Sequence, residues 1–127
     1  MPIMVKWANA EQTILLETFV GTWTLDEYCQ MVDQAAALLA TKAHIVHIIC
    51  DFTSSQGIPG NAVAGIRYAN EKLPRNQGGV VFINPGLVVK SFVNIARNIK
   101  LEAAREVRVS DSLESAMALL QAEPPGA

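Results

Sequence analysis

The run Ile45-Val46-His47-Ile48-Ile49-Cys50 is almost wholly apolar and stops at Asp51, and it constrains the chain more than any other segment. It is far shorter than the roughly 20 apolar residues a membrane helix needs. Its β-branched content suits a strand covered on both faces, as parallel strands are in α/β domains. Val80 to Ile83 repeats the pattern, and Glu106 to Val109 gives a short further strand. Upstream, Ile3, Val5 and Trp7 alternate, Asn9-Ala10-Glu11-Gln12 interrupts, and Thr13 to Phe19 resumes as β-branched and apolar. That spacing predicts an antiparallel hairpin.

Helix signals fall between these strands. In Thr24-Leu25-Asp26-Glu27 the Thr24 hydroxyl can cap the Glu27 amide while the Glu27 carboxylate reaches back to the Thr24 amide. Leu25, Tyr28, Cys29, Val32, Ala35, Ala36 and Leu39 then recur at helical spacing, predicting a helix to about Thr41. A polar loop from Thr53 to Gly60 leads to a second helix from about Asn61, with Val63, Ile66 and Leu73 inward and Pro74 as its stop. Asn84-Pro85 starts a third helix running to about Asn98. Asp111 and Glu114 start a fourth, with Leu113, Ala116, Met117 and Leu120 inward. Gln77-Gly78-Gly79 precedes a strand instead of linking strand to helix, so it reads as a turn and not as a phosphate loop.

The expected architecture is one α/β domain over 1–122 with a disordered tail at 123–127. Its order is β-β-α-β-α-β-α-β-α, with a mixed, mostly parallel five-stranded sheet and four helices. A chain of 127 residues with 50% apolar content has the material for one core. The net charge of −2 and pI of about 5.6 argue against nucleic acid, whose phosphates need a basic surface. Met1-Pro2-Ile3-Met4-Val5-Lys6 lacks the basic-then-apolar order of a secretory signal, and Cys29 and Cys50 are too few for a disulfide scaffold. A cytoplasmic location without a membrane span is the expectation.

The element order resembles the STAS domain, the fold of bacterial anti-sigma-factor antagonists. In that family a strand ending in Asp leads to an Asp-Ser-Ser-Gly-Leu motif, whose serine caps the second helix and is phosphorylated by a partner kinase. Asp51 matches the strand-terminal aspartate, and Ser54-Ser55-Gln56-Gly57-Ile58 is similar to the motif, with an extra glutamine and without its preceding acid. The resemblance implies Ser54 or Ser55 as phosphoacceptor and a regulatory or protein-interaction role.

The residues argue against catalysis. A serine nucleophile needs a base within about 2.6–3.2 Å, yet His44 precedes the strand that Ser54 follows and His47 lies mid-strand, where a structural role fits best. His47 and Cys50 are three apart on a strand, point to opposite faces and cannot hold a metal together. Asp51 alone is left for acid–base work, so the chain reads as non-enzymatic, with no cofactor expected.

Ligands of open α/β sheets bind beyond the carboxyl ends of the strands. Asp51, Thr53, Ser54, Ser55, Asn61, Asn84, Ser110 and Asp111 gather there, making that edge the alternative site, for a small anion or lipid. Charge is uneven along the chain: residues 1–66 hold two basic and six acidic side chains, residues 67–108 eight and three. Such asymmetry steers an acidic partner or a second copy. In the third helix Val88, Val89, Phe92, Val93, Ile95 and Ile99 span an arc of roughly 160°, more than one sheet face requires. Val89, Val93 and Arg97 are therefore the candidate interface of a homodimer.

Overall fold

The hairpin forms as its alternation predicts. In the computed structural model, which describes residues 2–57, 60, 62–86 and 107–121, β1 (Ile3–Trp7) pairs antiparallel with β2 (Ile14–Gly21). Asn9 closes the turn between them, its side-chain oxygen accepting from the amides of Thr13 and Ile14 at 3.1 and 3.2 Å. Helix α1 (Leu25–Ala40) follows, β3 spans Val46–Ser55, α2 Ala62–Lys72, β4 Gln77–Ile83, β5 Val107–Ser110 and α3 Leu113–Gln121. The strands lie in sequence order, β1-β2-β3-β4-β5, and every pairing after the first is parallel.

The described residues hold three helices, not the four expected, because the helix expected from Pro85 to about Asn98 lies outside them from residue 87 onward. Helix α1 starts where the sequence placed it. Thr24 Oγ1 accepts from the Glu27 amide at 3.1 Å and the Thr24 amide donates to Glu27 Oε1 at 3.0 Å, satisfying two of the donors a helix start leaves open. Helix α3 departs from expectation in its cap: the Ser112 hydroxyl, not Asp111, accepts from the Ser115 amide, at 3.1 Å. Ala116 and Leu120 are buried as expected, while Leu113, at the first position of the helix, is exposed.

Helices α1 and α2 cover one face of the sheet and α3 the other, so the strands supply two cores by alternation. Leu15, Phe19, Val46, Ile48 and Phe52 pack with Val32 and Leu39 of α1. Ile14, Leu16, Ile49, Val81 and Ile83 pack with Ala116 and Leu120 of α3. Strand β3 contributes to both, which is why its sequence reads as a continuous apolar run.

Two segments expected as loop or turn are strand. Strand β3 continues through Ser55, because β2 keeps pairing beyond a register shift, Val20 with Ser54 and Gly21 with Ser55. Gln77-Gly78-Gly79 opens β4, where one extra residue separates the pairs Val46–Gln77 and Ile48–Val80, the signature of a bulge. Glycine is required there by the neighbour across the ladder. A Cβ on Gly78 would stand 2.4 Å from His47 Nδ1 and 2.6 Å from Ile45 Cγ2. The ring cannot yield freely, since His47 Nδ1 accepts from the Gly79 amide at 2.9 Å. Gly78→Ala is expected to destabilise the fold by about 1–3 kcal/mol, measured by urea unfolding; an unchanged midpoint would show that β4 can shift at no cost.

Candidate functional site

The carboxyl ends of β3, β4 and β5 form a rim whose polar groups bond to one another. Asp51 Oδ1 accepts from the Thr53 amide at 2.9 Å and from Thr53 Oγ1 at 2.6 Å, a local turn of the kind aspartate favours. Asn84, in the left-handed region at φ 48°, donates from Nδ2 to Thr53 Oγ1 at 3.0 Å and to the Asp111 carbonyl at 3.3 Å. Its side chain thus ties the ends of three strands. Ser110 Oγ donates to the Ser112 carbonyl at 3.2 Å. A shallow open depression lies beside these groups, lined by Pro85, Gly86, Val109 and Ser115 among others.

The two serines have different surroundings. Ser55 Oγ accepts from Trp23 Nε1 at 3.0 Å and donates to the Gly57 carbonyl at 3.0 Å, which fixes its rotamer. Ser54 is exposed. Both serines lie on β3, and α2 begins at Ala62. Asn61, Val89, Val93 and Arg97 lie outside the described residues.

No protein-family model matches the sequence, and no curated protein matches it. Solved structures do. The anti-sigma factor antagonist SpoIIAA in its unphosphorylated form superposes with a TM-score of 0.71 over 96% of this chain and 98% of that one, at 12% identity. The fold is SpoIIAA-like. An uncharacterised DUF3478-family protein with a SpoIIAA-like fold, from Shewanella loihica PV-4, is 19% identical, with a TM-score of 0.64 over 93% of this chain and 91% of that one. The protein TM1081, solved by NMR, is 12% identical, with a TM-score of 0.64 over 94% and 88%.

On this SpoIIAA-like sheet the groups considered for catalysis hold structural posts. His44 Nε2 donates to the Gln12 carbonyl at 2.9 Å, His47 receives the Gly79 amide, and Asp51 receives Thr53. No helix of the described residues is long and apolar enough to cross a membrane.

Sequence reasoning passed over Glu17. It lies on β2 between Leu15 and Phe19 on the face that packs against α1, and it is only 4% exposed. Burial pushes its carboxyl up to about 7, a rise the hydrogen bond from Cys50 partly offsets. Cys50 Sγ donates to Glu17 Oε1 at 3.2 Å. Burial, and next the Glu17 charge, push the Cys50 thiol well above its ordinary value, so Cys50 is a proton-bearing donor and not a nucleophile. The pair borders a cavity of about 80 Å³ between the sheet and the helices α1 and α2. The signal in the sequence was a lone acid at a strand position whose two-residue neighbours are both apolar.

Proposed function

We propose that this chain is a non-enzymatic regulatory module that binds a protein partner through the open half of its sheet, with Ser54 as the residue a kinase modifies. One observation carries the reading. Helix α3 packs on β3, β4 and β5 and clusters with Ile14 and Leu16 at the start of β2, so on that face the far end of β2, Thr18 to Val20, and its partner Met4 on β1 are left without a helix among the described residues. Met4 and Val20 stand there 50% and 41% exposed, and Val20 is in register with the exposed Ser54. Apolar side chains grouped at an exposed sheet face are typical of contact surfaces. A phosphate on Ser54 would set about two negative charges beside Val20 and oppose an apolar partner. The likeness of fold to an anti-sigma factor antagonist solved in an unphosphorylated form is consistent with this role. The edge at Asp51, Thr53 and Asn84 is a weaker candidate for an anion, since its named side chains include acids and no base.

Capture from the native host with wild type, Ser54→Ala and Ser54→Asp tests the proposal. Wild type and the alanine variant should recover the same partner, and the aspartate variant should recover at least about tenfold less, the effect of one unfavourable charge in an interface. Equal recovery by all three would remove Ser54 as the switch. Undiminished recovery by Val20→Asp would remove the sheet face itself.

A further inference from the structure

Apart from the Ser54 face, the domain holds a pocket whose chemistry no part of that reading uses. The cavity between the sheet and the two helices is walled by Phe19, Tyr28, Phe52 and Phe82, together with aliphatic side chains, and Glu17 borders it. The rings are held by one another: Phe19 stacks on Phe52 at 4.5 Å between centroids, Phe52 meets Phe82 edge-on at 5.1 Å, and Tyr28 lies 6.4 Å from Phe19. The wall contains no lysine or arginine among the described residues. The donor they give the Glu17 carboxyl is a thiol, a weak one.

We infer that this cavity is a binding site for a small organic monocation, an alkylammonium ion, held between the Glu17 carboxylate and the faces and edges of the surrounding aromatic rings. The ammonium group supplies the charge-assisted hydrogen bond that the thiol cannot. The rings of Phe19, Tyr28, Phe52 and Phe82 offer π-electron density to a desolvated cation and apolar contact to its alkyl part. An anion has no counter-charge there, and a neutral apolar molecule leaves the carboxyl uncompensated. Scaled against the cavity of about 150 Å³ that takes benzene, a space of about 80 Å³ admits an ion of roughly three to four non-hydrogen atoms. The titratable groups packed against Glu17 are Tyr28 from α1 and Cys50 from β3; α2 brings Ile66, Ala69 and Leu73 to the cavity, and β4 brings Gln77, Val80 and Phe82.

The probe is propylammonium chloride, with n-propanol as the neutral molecule of the same size, titrated into the full chain by calorimetry and by amide NMR at fixed ionic strength. Propylammonium stays protonated throughout, so Glu17 is the partner whose charge changes. At about pH 8 propylammonium should bind at least about tenfold more tightly than propanol, with shifts centred on Phe19, Tyr28 and Cys50. Below the Glu17 midpoint its affinity should fall about tenfold per pH unit, following the ionised fraction. Glu17→Gln should lose the preference for the cation and the pH dependence. Equal binding of both probes, shifts confined to surface acids, or no heat at millimolar propylammonium near pH 8 would each overturn the assignment. The wild-type pH comparison decides even if the glutamine variant fails to fold.

Discussion

Replacing Phe19 by alanine is expected to cost about 3–5 kcal/mol, the range for deleting a buried aromatic ring. Phe19 is fully buried and touches three other rings, Trp23 at 5.1 Å, Phe52 at 4.5 Å and Tyr28 at 6.4 Å between centroids. These come from the loop before α1, from β3 and from α1, so the ring joins the hairpin to the rest of the domain. The site cannot collapse readily, because Trp23 is anchored through Nε1 to Ser55 Oγ. The loss would consume much of the 5–15 kcal/mol that holds a domain of this size together, and Tm should fall by roughly 10–20 °C. Thermal unfolding followed by circular dichroism measures it. A fall of less than about 1 kcal/mol would show that neighbouring side chains refill the space, and the ring cluster would lose its place as the centre of the larger core.

Much of this architecture is legible in the sequence because it rests on local signals. The hairpin follows from alternation, the start of α1 from a capping box within four residues, and the central strand from its apolar run. The errors share a cause in neighbours distant along the chain. Thr53-Ser54-Ser55 is polar and reads as loop, yet β2 supplies Val20 and Gly21 as partners and the strand continues. Gly78-Gly79 has turn chemistry, but the requirement for a missing Cβ comes from His47 and Ile45 across the ladder. Around the site, the gathering of Asp51, Thr53 and Asn84 follows from sheet topology. The cavity does not, because it depends on how α1 and α2 sit over β2 and β3. Glu17 carried the clue: on an alternating strand it shares its face with Leu15 and Phe19, and a carboxyl there is buried before any contact is known.

Glu17 also sets a pH dependence of stability opposite to that of most carboxylates. Its carboxyl is at about 7 in the folded chain against 4.5 as a free group. Between those values the folded state holds a proton that the unfolded state has released, so stability falls as pH rises through this window. Below about 4.5 both states are protonated and Glu17 carries no penalty; above about 7 the penalty is complete, about 3 kcal/mol at 1.36 kcal/mol for each pH unit. Glu17→Gln keeps the shape and an oxygen to accept from the Cys50 thiol, and it removes the titration. The variant should therefore exceed wild type in stability by about 2–3 kcal/mol near pH 8, with the difference closing toward pH 4. Other acids tilt both profiles alike and cancel in the comparison, which urea unfolding across the pH range provides. Parallel wild-type and variant profiles would mean that the Glu17 carboxyl stays hydrated when folded. Saturating propylammonium near pH 8 should narrow the gap from the wild-type side alone, because an ion bound to the carboxylate stabilises only the chain that carries it.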